Sequence, residues 1–176
     1  IGGEVAAWGK SPDGDAWRVG VADPAHPQEN APPLARLRLR DRAVATSGAY
    51  QRYYTVAGRR YSHIVDPRTG MPAEQAAGAT VVAANCADAD ALATTLCVLP
   101  PDQGLRLVES LRNRGADAAC LLILPDGRQL ASTGWADLAE PMAQAEKTAN
   151  PAWPNGHGLT ITVTIAPQTG RKTHRP

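Results

Sequence analysis

Phenylalanine does not occur in the 176 residues, cysteine occurs only three times, and basic and acidic side chains nearly cancel, leaving a formal net charge of +1. Each shortage closes off a class of protein. The three cysteines, Cys86, Cys97 and Cys120, cannot form a complete disulfide framework. No two of them stand at CxxC spacing, so a zinc site is not expected, and all three read as small buried hydrophobes. A charge so near zero supplies no basic field for holding nucleic acid, and no nucleic-acid partner is expected. No uncharged apolar run approaches the roughly 18 residues of a membrane span. No secretory leader is visible, but the chain opens on Ile1 rather than Met. Its natural N-terminus, and any address carried there, is expected to lie upstream.

What is present is ordinary in bulk. Hydrophobic residues make up 43% and charged residues 20%, the balance of a globular chain long enough for one domain with a real core. Fifteen prolines favour a loop-rich mixed fold over a helical bundle. Periodicity then predicts the elements. Residues 1–9 and 17–21 read as a hairpin across the turn Ser11-Pro12-Asp13-Gly14. Residues 34–40 alternate Leu with Arg as a half-exposed strand, and 43–46 form another, stopped at Ser47-Gly48. Residues 50–56 and 59–64 flank Ala57-Gly58 as a second hairpin. A loop over 66–75 leads to a buried strand over 80–84. Residues 87–99 make the best helix, with Ala89, Leu92, Ala93, Leu96 and Cys97 on its apolar side. Pro100-Pro101 ends it, and a second helix from Asp102 runs to about Arg114. Strands over 119–124 and 129–132 follow, joined by Pro125-Asp126-Gly127. The order is that of an α+β fold. Residues 1–140 read as one domain portion, 141–158 as a linker, and 159–176 as a docked tail or the first strand of a further domain.

Three clusters could carry chemistry. Tyr61-Ser62-His63-Ile64-Val65-Asp66-Pro67-Arg68-Thr69-Gly70 runs from a strand into a Pro/Gly turn and offers an imidazole, a carboxylate, a guanidinium and a hydroxyl. Turn chemistry explains Asp66-Pro67 and Thr69-Gly70 equally well. In Ala87-Asp88-Ala89-Asp90-Ala91-Leu92-Ala93-Thr94-Thr95, Asp90 and Thr94 are four apart and share a helical face. Their oxygens are hard donors suited to Mg²⁺, whereas Asp88 is placed to cap the helix. A first-turn role in the helix is the alternative for both aspartates. Thr46-Ser47-Gly48-Ala49-Tyr50 could bring backbone N–H groups to a ligand or merely end a strand. Gly2-Gly3 lacks the GxGxxG pattern and precedes no helix, which argues against a dinucleotide-type turn.

In combination these motifs, from Ile-Gly-Gly-Glu-Val through His63-Ile64-Val65-Asp66-Pro67-Arg68-Thr69-Gly70 to Ala87-Asp88-Ala89-Asp90-Ala91-Leu92-Ala93-Thr94, closely resemble the ApbE-type FAD:protein FMN transferases over about residues 1–138. The resemblance implies an ApbE-like mixed sheet with helices, the family's N-terminal half being absent from this chain. It implies Mg²⁺-dependent transfer of FMN from FAD to a Thr or Ser hydroxyl of an acceptor protein, with release of AMP. Asp90 and Thr94 match the family's magnesium ligands and His63 a histidine of the reaction centre. Ile64, with Ser47 and Gly48, falls on the flavin side. It implies further a location in the bacterial periplasm, with a lipid anchor to the inner membrane. With half the pocket wall outside the chain, weak FAD binding, no transfer by this chain alone and an apolar face inviting self-association are expected. Two alternatives use the same residues: an FAD pyrophosphatase giving FMN and AMP, and a non-catalytic flavin-binding module.

Overall fold

The structure, a computed structural model, describes residues 4–12, 14–26, 31–48 and 53–140, and the backbone of 161–162. Its centre is an antiparallel sheet. In chain order its strands are β1 (Val5–Ala7), β4 (Arg42–Gly48), β9 (Gly78–Ala83), β10 (Ala118–Ile123) and β11 (Gln129–Ala131), and they neighbour one another in that order. β9 and β10, with sequences GATVVA and AACLLI, are buried at every position. Alternate side chains of such strands point to opposite faces, so each strand feeds two cores.

On one face Val81, Ala83, Cys120 and Leu122 pack with α1 (Cys86–Val98) and α2 (Pro101–Asn113). On the other, Val44, Val82, Ala119 and Leu121 meet Val19 and Val21 of β2 (Trp17–Val21), Leu37 and Leu39 of β3 (Ala35–Leu39), and Trp135 of a 3-10 turn (Thr133–Trp135). β2 and β3 are antiparallel, and β12 (Ile161–Thr162) lies parallel to β2 at Val19 and Gly20. The readings placed on Gly2-Gly3, Tyr50, the 141–158 linker and the remainder of the 159–176 tail lie outside the described residues.

The helices stop where sequence says they should. Asn85 caps α1, its side-chain oxygen accepting from the Asp88 N–H at 2.9 Å. Asn85 also donates to the Asp88 carboxylate at 2.8 Å. The expected cap, Asp88, is thus the third helical residue, where a carboxylate favourably faces the helix N-terminus. Pro101 stands at the start of α2, and Gly115 follows its end at φ +89°.

The first hairpin expected from sequence does not form. β1 pairs with β4, Val5 opposite Val44, and β2 with β3. Gly9 turns the chain at φ +63° out of the central sheet, and its N–H donates to Asp41 Oδ1 at 2.8 Å in the corner joining β3 to β4. Ala7 and Val19 therefore face one core from two different sheets. Arg36 is buried, at 7% exposure, rather than outward like Arg38 and Arg40. The second hairpin is as expected: β5 (Tyr53–Val56) pairs with β6 (Arg59–Ser62) through Ala57 and Gly58, both at positive φ. β5 is exposed throughout, with Arg60 stacked 4.4 Å from the Tyr53 ring centre. Within the expected 66–75 loop, β7 (Val65–Asp66) and β8 (Met71–Pro72) make a short ladder. Among the described residues no helix is long and apolar enough to cross a membrane.

Cys97 and Cys120 are buried, but Cys86, the first residue of α1, is only half-buried. Burial pushes the Cys97 thiol up to about 12 and the Cys120 thiol to about 11, so neither offers a thiolate near neutrality. Ellman's reagent is expected to titrate one thiol promptly in the native state, Cys86, and the other two only after unfolding. Three thiols reacting at one rate in the native protein would contradict this packing.

Candidate functional site

The residues singled out from sequence lie on three segments: the end of β4, the bend after β6, and α1. Ser47 and Gly48 close β4, opposite Ala79 and Gly78 of β9. One step earlier, the Thr46 and Thr80 hydroxyls meet at 2.9 Å across the same ladder. α1 lies over this end of the sheet because Ala89, Ala93, Leu96 and Cys97 recur at helical spacing and are all buried. Two of its side chains reach Ser47. The Cys97 thiol, kept protonated by its burial, donates to the Ser47 carbonyl at 3.5 Å. The Thr94 hydroxyl lies 3.0 Å from the Ser47 hydroxyl. Sequence motifs 47 residues apart thereby join in one contact.

Asp90 and Thr94 are both exposed, one turn apart on α1. Neighbouring Thr95 turns its hydroxyl back to the Ala91 carbonyl at 2.7 Å, a common habit of helical threonines. Thr94 instead turns its hydroxyl to β4. Among the described residues no three His, Cys, Asp or Glu side chains converge on a common point. A closed cage of protein ligands is therefore not built from them. The donor set does fit Mg²⁺, which takes one or two carboxylates and completes its octahedron with water and substrate phosphates. Asp90 and Thr94 are the two residues here that would hold it.

The bend after β6 is anchored from below. Ser62 and Ile64 are buried while His63, between them, is exposed. The Ile64 side chain lies in the same core as Ala89 and Ala93 of α1. Its N–H donates to Ser62 Oγ at 3.1 Å and its carbonyl accepts from the Ala73 N–H at 2.8 Å. Ile64 thus fixes where the chain bends and His63 is displayed beside it.

The rest of that cluster is committed to the turn. The Arg68 guanidinium and the Arg68 N–H both donate to Asp66, holding its carboxyl below the usual carboxylate range. Thr69 and Gly70 N–H groups donate to the Asp66 carbonyl, and Met71 N–H to Thr69 Oγ1. Arg68 Nη2 also reaches the Val98 carbonyl at the end of α1, at 3.4 Å. Asp66 and Arg68 therefore tie the bend to the helix. Sequence reasoning missed this tie, the Asn85 cap and the Ser47–Thr94 contact. The spacing Asn85-x-x-Asp88 was a legible capping signal; the other two depend on tertiary approach.

The family model described as "ApbE family" matches residues 1–119. The FAD:protein FMN transferase of Vibrio cholerae is 38% identical over 111 residues, 62% of this chain and 33% of that protein. That of Treponema pallidum is 42% identical over 122 residues, 69% of this chain and 32% of that protein. The crystal structure of the ApbE protein from Thermotoga maritima superposes with a TM-score of 0.68 at 34% identity, over 80% of this chain and 43% of that one. The apo flavinyl transferase ApbE of Pseudomonas stutzeri gives 0.58 at 32% identity, over 81% and 43%. This chain spans about a third of the length of the curated relatives it matches. The sheets with their two helices are the corresponding part of the ApbE fold, and the chain belongs to the ApbE family.

Proposed function

We propose that the protein of which this chain is part transfers FMN from FAD to a Thr or Ser hydroxyl of an acceptor protein and releases AMP. The observation that carries this is the convergence of two motifs at one place: Thr94 of α1 meets Ser47 of β4, with Asp90 one turn away on the same exposed face. The names of the relatives support the reaction class. Asp90 and Thr94 would hold Mg²⁺, which when bound neutralises charge on the pyrophosphate and on the departing AMP. The acceptor oxygen forms a bond to the FMN phosphorus as the bond from that phosphorus to the AMP oxygen breaks. His63 takes the acceptor's hydroxyl proton. Asp66 is unsuited to that task, because Arg68 holds it as a paired carboxylate. We extend the proposal to the bacterial periplasm, with a lipid anchor to the inner membrane, on the ground of the family resemblance.

The test is a transfer assay on the full-length protein with FAD, Mg²⁺ and a Thr-containing acceptor. Flavin fluorescence should stay with the acceptor after denaturation. His63→Ala should slow transfer on the order of 100-fold while FAD affinity changes little. Free FMN and AMP with no flavin on the acceptor would show hydrolysis instead. Parallel losses of melting temperature, FAD affinity and rate in His63→Ala would reduce His63 to a structural residue.

A further inference from the structure

We propose that Ser47 is a positioning residue that orients the Thr94 hydroxyl for cation binding, by accepting its proton in a hydrogen bond from β4. The inference rests on the proposed function above, and concerns a side chain that touches neither the cation nor the flavin in this role.

A threonine hydroxyl has one proton and two lone pairs. When a lone pair faces a cation, the O–H must point away from it, because proton and cation repel. That proton then needs an acceptor on the far side. On an isolated helix the acceptor would be the carbonyl one turn back, as Thr95 shows with Ala91 at 2.7 Å. Thr94 is set differently. Its Oγ1 lies 3.0 Å from Ser47 Oγ, and either oxygen can be the donor while no cation is bound. A cation at Thr94 selects one of the two: Thr94 donates and Ser47 accepts.

Ser47 is well held for that task. Its carbonyl accepts from Cys97, one turn further along α1, at 3.5 Å. Its backbone is registered opposite Ala79 in the β4–β9 ladder, next to the Thr46–Thr80 hydroxyl pair. The sheet, not the helix, therefore sets the direction of the Thr94 lone pairs. A ligand hydroxyl already turned to the cation loses less rotamer freedom on binding than one that must swing from the helix carbonyl.

The test uses Mn²⁺ as the probe, titrated into the full-length protein in the presence of FAD, with free Mn²⁺ followed by its electron paramagnetic resonance signal. Ser47→Ala should weaken Mn²⁺ binding about 3- to 10-fold, the range of one neutral hydrogen bond. Ser47→Thr keeps the hydroxyl on a strand position that accepts β-branched residues and should restore wild-type Mn²⁺ affinity. Equal Mn²⁺ affinity in wild type and Ser47→Ala would overturn the inference and leave the metal site standing. Equal weakening in Ser47→Ala and Ser47→Thr would overturn it too, since it would point to strand packing. Wild-type protein that binds no Mn²⁺ at all would remove the metal site, and this inference with it.

Discussion

Asp90→Ala is expected to abolish Mg²⁺-dependent turnover in the full-length protein, on the order of 100-fold or more, while leaving the fold intact. Asp90 is exposed on α1, and its substitution touches no buried contact. Alanine is also the best helix former, so the folding free energy should change by no more than about 0.5 kcal/mol. The loss falls on the chemistry, because a carboxylate supplies both a ligand oxygen and the negative charge that draws a hard cation from water. Thr94→Ala removes a neutral ligand from the same face. It should cost less, and excess Mg²⁺ should recover part of the rate. AMP release measured against Mg²⁺ concentration separates the two variants. Full Mg²⁺-dependent activity in Asp90→Ala would dismiss the assignment of this face.

The second large effect is on stability, and its sign depends on which residue is changed first. Leu96 is 1% exposed beneath α1 and Leu122 is fully buried in β10. Gly104 brings α2 close to both: a methyl group there would stand 2.8 Å from Leu96 Cδ2 and 4.0 Å from Leu122 Cδ1. Leu96→Ala should cost about 2–5 kcal/mol through lost burial and a residual cavity. Gly104→Ala alone should cost up to about 2 kcal/mol, because the added methyl overpacks a filled core and the helix preference for alanine over glycine offsets only part of that. In the Leu96→Ala background the same Gly104→Ala change should be neutral or stabilising. The obstructing methyl is then gone, and alanine outranks glycine in a helix by about 1 kcal/mol. Urea unfolding of the four proteins closes a double-mutant cycle. Strict additivity of the two changes would show that Leu96 and Gly104 do not meet as described.

The parts of this fold that sequence makes legible are those whose cause is local. The stripe Ala89, Leu92, Ala93, Leu96 and Cys97 follows from helical period alone, and the structure buries all of them but Leu92, which is half-buried. The turn at Ala57-Gly58 is signalled by Gly58, which accepts positive φ freely, while Ala57 adopts it at φ +48° against its own preference. The pairing of β1 had no such local cause. Val5 finds Val44 because two sheets share one core, and the segment around Gly9 reads like a hairpin turn until that core is known. β5 shows the converse: Tyr53, Tyr54 and Val56 have strand propensity, yet every residue of the strand is exposed. β-propensity records what suits a pleated surface and not which side will be covered.

The candidate site divides in the same way. Asp90 and Thr94 are visible as a pair because their spacing is that of one helical turn. Asp66, Arg68, Thr69 and Gly70 belong together in sequence, and the structure makes them a turn that grips α1 through the Val98 carbonyl. The contact of Ser47 with Thr94 bridges β4 and α1 and has no local trace. It depends on the sheet register opposite Ala79 and on how deeply Ala93 and Cys97 seat the helix.

The most direct measurement of the central claim is the position of the metal. Crystals of the full-length protein grown with FAD and soaked in Mn²⁺ should show an anomalous peak bound by the Asp90 carboxylate and the Thr94 hydroxyl, at distances near the roughly 2.0–2.1 Å of an octahedral Mg²⁺ site. Pyrophosphate oxygens and water should fill the rest of the shell, with Ser47 behind Thr94 and outside it. A flavin-bound crystal in which the Mn²⁺ peak lies away from Asp90 and Thr94 would contradict the account.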